Sequence, residues 1–183
     1  MRIIAGSRKG ARIFAPKGET RPTGDRVREA AFNLIGPVED MAVLDLFAGS
    51  GAMGLEALSR GAASVVLVES DREAQRTIER NLEKLGLKEA RIVKHDARRA
   101  LATEAAAGSR YDLVLVDPPY RMLGSLLPTL SAYLPALLAE DGLVVVESPA
   151  GEHPELPLAE RTSRTYGSVR LTVFENQGFA DED

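Results

Sequence analysis

The sequence predicts an α/β protein built on a mostly parallel, Rossmann-like sheet. Three observations carry the prediction. From about residue 40, apolar runs of strand length alternate with helical patterns. A glycine-rich loop joins the first of those strands to the next helix, and the last two strands follow each other with no helix between them.

Each element has a local reason. RIIA and ARIFA flank GSRKG and read as a small β-hairpin with a basic tip, followed by the loop KGETRPTG. Asp25 is placed to cap a helix carrying Val27, Ala30, Ala31, Leu34 and Ile35 at helical spacing, which Gly36 and Pro37 end. AVLDLF is then a buried strand, AMGLEALSR a helix, SVVLVES a strand, and DREAQRTIERNLEKLG a helix between Asp71 and Gly86. ARIVKHD is the next strand, trailed by a short alanine-rich helix. YDLVLVD, a leucine-rich helix from Gly124 to Leu138 and the strand GLVVVES complete the alternation. ERTSRTYG and SVRLTVFE read as an antiparallel hairpin at the sheet's edge, and QGFADED as a frayed acidic tail.

The 183 residues fit one domain, with a basic hairpin and loop at 1–24, a catalytic core at 40–175 and the tail at 177–183. No apolar run approaches the roughly 20 residues needed to cross a bilayer, so the expected location is the cytoplasm with no membrane partner. Absence of cysteine excludes disulfides and a cysteine nucleophile, and two scattered histidines, His95 and His153, speak against a metal site. Charge is unevenly spread. Residues 1–28 hold eight basic against two acidic side chains, whereas the rest holds 15 against 25. A basic face meeting a polyanion fits this asymmetry, as does a merely solvated N-terminal segment.

In LDLFAGSGAMG, Gly49, Gly51 and Gly54 stand in G-x-G-x-x-G spacing after a strand and at the start of a helix. The first glycine allows the turn, the second lets a ligand reach the backbone, and the third permits close packing of helix on strand. Glu69 ends the next strand, where a carboxylate can accept both ribose hydroxyls of an adenosine. A dinucleotide would put its pyrophosphate at the helix N-terminus, but Asp45 adds negative charge there and suits a cation better. S-adenosylmethionine, with an ammonium, a sulfonium and no phosphate, answers that description. Asp45 reads either as its ligand or as a carboxylate that braces the loop. Asp96 in HDA reads as a partner of the adenine amine, as a helix cap, or as both.

LDLFAGSG, VES, HDA and DPPY, in this order, resemble class I S-adenosylmethionine-dependent amino-methyltransferases. RIIAGSRKGARI, RPTGDRVREAAFNLI, VLDLFAGSGAMGLEALSRGA and YGSVRLTVFE narrow the resemblance to the RsmD-type guanine-N2 methyltransferases of bacterial small-subunit (16S) ribosomal RNA, from Arg2 to about Glu175. The resemblance implies a seven-stranded sheet. It implies cofactor contacts from Asp45, Phe47, Gly49, Ser50, Gly51, Gly54, Glu69, Ser70, Asp96 and Ala97, and a pocket wall from Arg21 and Thr23 beside Pro22. Asp117, Pro118, Pro119 and Tyr120 would surround the target amine. The chain departs from the family pattern at Val169 in YGSV, where a threonine is expected, and at Arg121 and Met122 after DPPY.

That tetrapeptide suits a conjugated amine. Its lone pair is a poor nucleophile until acceptors hold its hydrogens, which the Asp117 carboxylate and the Pro118 carbonyl, restrained by two proline rings, can do. Tyr120 offers a stacking face to an unstacked base. The expected products are the methylated amine and S-adenosylhomocysteine. The expected partner is small-subunit ribosomal RNA in a partly or fully assembled subunit, met by a monomer through Arg8, Lys9, Arg12 and Arg26. Alternatives from the residues alone are methylation of DNA adenine or cytosine, methylation of a protein glutamine, and NAD-dependent oxidoreduction.

Overall fold

Strand residues here are apolar on both sides, and the computed structural model, which describes residues 1–15 and 24–176, shows why. In chain order the elements are α1 (Asp25–Ile35), β1 (Ala42–Asp45), α2 (Ala52–Ser59), β2 (Ser64–Val68), α3 (Arg72–Leu85) and β3 (Ala90–Val93). Then come α4 (Ala97–Ala106), β4 (Tyr111–Val116), α5 (Tyr120–Leu137), β5 (Leu138–Pro149), β6 (Ala159–Tyr166) and β7 (Val169–Glu175). The seven strands form one sheet in the order β3-β2-β1-β4-β5-β7-β6. The first five are parallel, and β7 runs antiparallel between β5 and β6.

Alternate strand residues feed two cores. Val43, Val65, Leu67, Leu113, Leu115 and Val145 pack with Phe32, Ile35, Leu58 and Ile78 from α1, α2 and α3. Leu44, Val66, Val114, Val116, Val144 and Val146 pack with Leu101 of α4 and the Leu123, Leu126, Leu130, Leu134 stripe of α5. With helices on both faces, period-2 alternation of apolar and polar residues gives way to continuous apolar strands. Beyond β1 the chain winds first to β2 and β3, and later returns to the other side of β1 as β4. The crevice between the ends of β1 and β4 is therefore the switch point of the sheet, where ligands of such folds sit.

Local signals mostly hold. Asp71 caps α3 by accepting the Ala74 N–H at 2.8 Å, and Gly86 ends it with φ 62°. Three expectations change. Asp25 is the first helical residue of α1 rather than its cap, a position taken by Gly24 without a side-chain bond. The Asp25 carboxylate instead meets Arg28 Nη2 at 2.9 Å, one turn on in the same helix, and Arg2 Nε at 3.5 Å, a partner that only the folded N-terminus supplies. The leucine-rich helix, expected from Gly124, begins at Tyr120 directly after Pro119, so DPPY is a strand-to-helix junction. Finally, the N-terminal hairpin is reduced to one antiparallel bridge, Arg2 with Arg12, around a 3-10 turn at Gly6–Arg8.

That turn is held down rather than projecting. Ile3 and Ile13 pack on Ala52, Leu55 and Leu85. Gly6 has φ 79°, and a Cβ there would come within 1.7 Å of the Ser59 carbonyl oxygen, so only glycine permits this approach to the end of α2. Beneath it lies a buried ionic clamp. Glu56 Oε2 accepts the Ile4 N–H at 2.8 Å, and Oε1 accepts the Ala5 N–H at 2.9 Å and Arg60 Nε at 2.8 Å. Arg28, fully buried, places Nε 3.7 Å from Glu56 Oε2 and donates through Nη2 to the Arg2 carbonyl. Among the described residues, Arg28 Nε has no hydrogen-bond partner, so it meets Glu56 as an ion pair only.

Candidate active site

The glycine loop leaves β1 at Asp45 and enters α2 through Gly51, whose φ of 82° is left-handed. A Cβ on Gly54 would lie 2.5 Å from Leu67 Cδ2 and 2.8 Å from Val65 Cγ1, so the third glycine lets α2 pack on β2. Asp45, 2% exposed, accepts the Gly54 N–H at 3.1 Å through Oδ2 and so does brace the loop. Its pKa is pushed up to about 7, chiefly by burial; the Gly54 and Phe47 N–H groups oppose this, and the Asp117 and Glu69 carboxylates add to it. A buried acid held among other acids is a site that favours a cation.

Glu69 links the loop to the next helix. Its Oε2 accepts the Gly49 N–H and its Oε1 the Asp71 N–H, each at 2.8 Å. Each carboxylate oxygen has a second lone pair, so two hydroxyl donors can still be received. Ser70 beside it is exposed, Phe47 and Gly49 are half-buried, and Ser50 is buried. Asp96 caps α4, its Oδ1 accepting the Arg98 and Arg99 N–H groups at 3.0 and 3.1 Å, and Ala97 is buried behind it. Both cap bonds use Oδ1, so Oδ2 remains for an outside donor.

Asp117 follows β4, half-buried, with Pro118 buried and Pro119 exposed at the cap position of α5. Tyr120 is 39% exposed, and its Oη lies 3.3 Å from Oε1 of Glu147, near the end of β5. Asp45, Glu69, Asp117 and Glu147 thus leave four neighbouring strands, β1, β2, β4 and β5, at one edge of the sheet.

Of the basic residues expected on a polyanion, Lys9, Arg12 and Arg26 are exposed. Arg8 is half-buried and donates through Nε to the Leu85 carbonyl at 2.7 Å, so it also caps the C-terminal end of α3. Arg21 and Thr23, with Pro22, lie outside the described residues, as does the 177–183 tail.

Three residues escaped the sequence reading. Asn81, fully buried in α3, donates through Nδ2 to the Ser50 carbonyl at 2.9 Å and the Phe14 carbonyl at 3.0 Å, and accepts the Phe14 N–H at 2.8 Å. It joins the glycine loop to the N-terminal segment. A polar residue on the stripe of Ile78 and Leu85 was its signal; a lone acid among apolar neighbours was the signal for Glu56. Glu147 gave none beyond its place at a strand end.

The sheet order, the glycine loop and the acids at the strand ends define a Rossmann-like, S-adenosylmethionine-dependent methyltransferase fold. An RNA methyltransferase of Salinibacter ruber, solved with S-adenosyl-L-homocysteine, shares that fold at TM-score 0.66 and 18% identity, covering 88% of this chain and 97% of its own. A model of the family described as conserved hypothetical protein 95 matches residues 1–175. Ribosomal RNA small subunit methyltransferase D of Escherichia coli K12 is 40% identical over all of this chain and 94% of its own. A solved protein of Thermus thermophilus superposes at TM-score 0.84 with 37% identity, covering 96% of this chain and 99% of its own. The chain belongs to the RsmD family of ribosomal RNA small subunit methyltransferases.

Proposed function

We propose that the protein transfers a methyl group from S-adenosylmethionine to the exocyclic N2 amine of a guanine in small-subunit ribosomal RNA. The observation that carries the reading is the gathering of the buried Asp45 with Glu69 and Asp117 at the ends of the adjacent strands β1, β2 and β4 around the glycine loop: such a crevice disfavours a pyrophosphate and suits a ligand with two positive centres and no phosphate. Full-length similarity to the Escherichia coli enzyme supports the RNA substrate.

Asp45 and the loop would hold the amino-acid end of the cofactor, Glu69 its ribose hydroxyls, and Asp96 Oδ2 the adenine amine, with Phe47, Ser50, Ser70 and Ala97 completing the wall. When bound, the cofactor supplies an electrophilic methyl group on sulfur. Asp117 and the Pro118 carbonyl hold the two amine hydrogens, which turns the nitrogen lone pair out of conjugation toward that methyl. As the new N–C bond forms the methyl–sulfur bond would break, its electron pair staying on sulfur to leave S-adenosylhomocysteine, and Asp117 would take the proton then lost from nitrogen. Tyr120 keeps the base flat, and holding the amine in attack geometry can contribute about 7–11 kcal/mol. Lys9, Arg12 and Arg26, with Arg8, meet RNA phosphates on a small subunit in the cytoplasm, and the enzyme acts as a monomer.

The test is label transfer from tritiated S-adenosylmethionine to unmethylated small subunits, free 16S RNA, DNA and a glutamine peptide. Label recovered as N2-methylguanine from the ribosomal RNA is the expected result. Label in DNA or peptide alone, or calorimetric binding of NAD with none of S-adenosylhomocysteine, overturns the reading.

A further inference from the structure

Glu147 stands where the reaction just described leaves it without a task. Val146 pairs in register with Val116, so Glu147 and Asp117 are the next residues on adjacent parallel strands. Both continue the face on which Leu115 and Val145 lie. The Tyr120 hydroxyl, 3.3 Å from Glu147 Oε1, ties this second carboxylate to the DPPY junction. Glu147 is half-buried, so its contacts are only partly shared with water.

The bases that carry an exocyclic amine differ in the ring nitrogen beside it. Guanine N1 bears a hydrogen next to N2. Adenine N1, next to N6, and cytosine N3, next to N4, are bare acceptors. An ionised carboxylate only accepts. Placed beside an amine already held by Asp117, it is satisfied by the guanine edge and faces a lone pair in adenine or cytosine. A site built to receive a substrate hydrogen rejects an analogue lacking it far more strongly than an apolar pocket rejects a change of size.

We propose that Glu147 selects guanine by accepting its N1–H, with the Tyr120 hydroxyl steadying the carboxylate. The assignment rests on the guanine-N2 reading above and adds to it the residue that sets the base. Asp117 alone, by contrast, is compatible with any of the three amines. Tyr120 thereby has two tasks, its ring for stacking and its hydroxyl for orientation.

The test compares small-subunit RNA bearing guanine at the methylated position with RNA bearing 2-aminopurine there, introduced by splinted ligation. 2-Aminopurine keeps the 2-amine but has an acceptor at ring position 1. Wild-type enzyme is expected to prefer guanine strongly in kcat/KM. Glu147→Gln, whose amide can donate to that acceptor, should lower the guanine to 2-aminopurine ratio by at least about tenfold. Tyr120→Phe, which keeps the ring, should lower it less. Calorimetric binding of S-adenosylhomocysteine within about twofold of wild type shows that the cofactor site persists. A guanine rate that falls in both variants with an unchanged ratio overturns the assignment alone. Failure of the wild-type enzyme to methylate any guanine overturns the reading beneath it, and the assignment with it.

Discussion

Asp45 and Glu56 are both withdrawn from water, at 2% and 0% exposure, yet their surroundings are opposite. Glu56 is met by two backbone N–H groups and by Arg60 and Arg28. Asp45 has the Gly54 and Phe47 N–H groups, and among the described residues the charged groups that act on it, Asp117 and Glu69, are acids that push its pKa up. In the N-terminal clamp the protein supplies the countercharge itself. In the crevice no described residue supplies it, and on the function proposed above a cationic ligand would.

The comparison can be broken at either end. Glu56→Ala takes from the buried Arg28 the buried member of its two carboxylate partners, and from Ile4 and Ala5 their acceptor, and should cost about 3–5 kcal/mol in urea unfolding; a loss below about 1 kcal/mol would show that the clamp is solvated in solution. For Asp45 the sign is reversed. A raised pKa means that the folded state holds a proton the unfolded chain has released, so stability falls as pH rises from about 4 toward about 7. Asp45→Asn should remove that slope, so that the gap between variant and wild type widens by up to about 1.4 kcal/mol per pH unit across the window and levels off above it. A cationic ligand favours the ionised form, so S-adenosylmethionine should bind wild type more tightly as pH climbs through 7, with proton release measurable by calorimetry in buffers of different ionisation heat.

Smaller effects sharpen the contrast. Asp117→Ala should reduce methyl transfer on the order of 10²–10³-fold, the scale of losing one group that stabilises a transition state. S-adenosylhomocysteine affinity should change little, while the pH midpoint assigned to Asp45 moves down because a repelling charge is gone. Retained turnover would remove Asp117 from its role. Asn81→Ala leaves the Phe14 and Ser50 backbone groups without their partner and should cost about 1–3 kcal/mol in urea unfolding. It should also weaken S-adenosylhomocysteine binding through the loosened loop; unchanged binding would mean that the N-terminal segment and the loop are independent.

What was legible in the sequence was what is local. Asp71 and Gly86 bound α3 through bonds within their own turns, and the glycine loop is set by three residues in one stretch. Which strands run parallel and which pair antiparallel followed from where helices do and do not intervene, whereas the order of the strands in the sheet did not. The clamp was not legible, because Glu56 meets partners 52 and 51 positions away, Ile4 and Ala5. Asn81 meets Phe14 across 67 positions. Asp25 satisfies the local rule for a cap, yet it lies one residue inside the helix, and its carboxylate meets Arg28 one turn on and Arg2 of the N-terminal segment. Arg8 looked like a free charge at a turn because nothing in the sequence near it announces the end of α3.

The placement of β7 between β5 and β6 also bears on how the chain assembles. β6 precedes β7 in sequence, but its pairing is with β7, and β7 takes its place along β5 from Leu143 to Pro149. A released chain that ends at Tyr166 would therefore carry a strand with nowhere to dock and leave β5 as an open template of unpaired backbone groups. Such a chain is exposed to edge-to-edge association with another chain. Closing that gap requires the Gly167–Ser168 turn to fold β7 back along β5, so a chain cut after Tyr166 should aggregate more readily than the full chain.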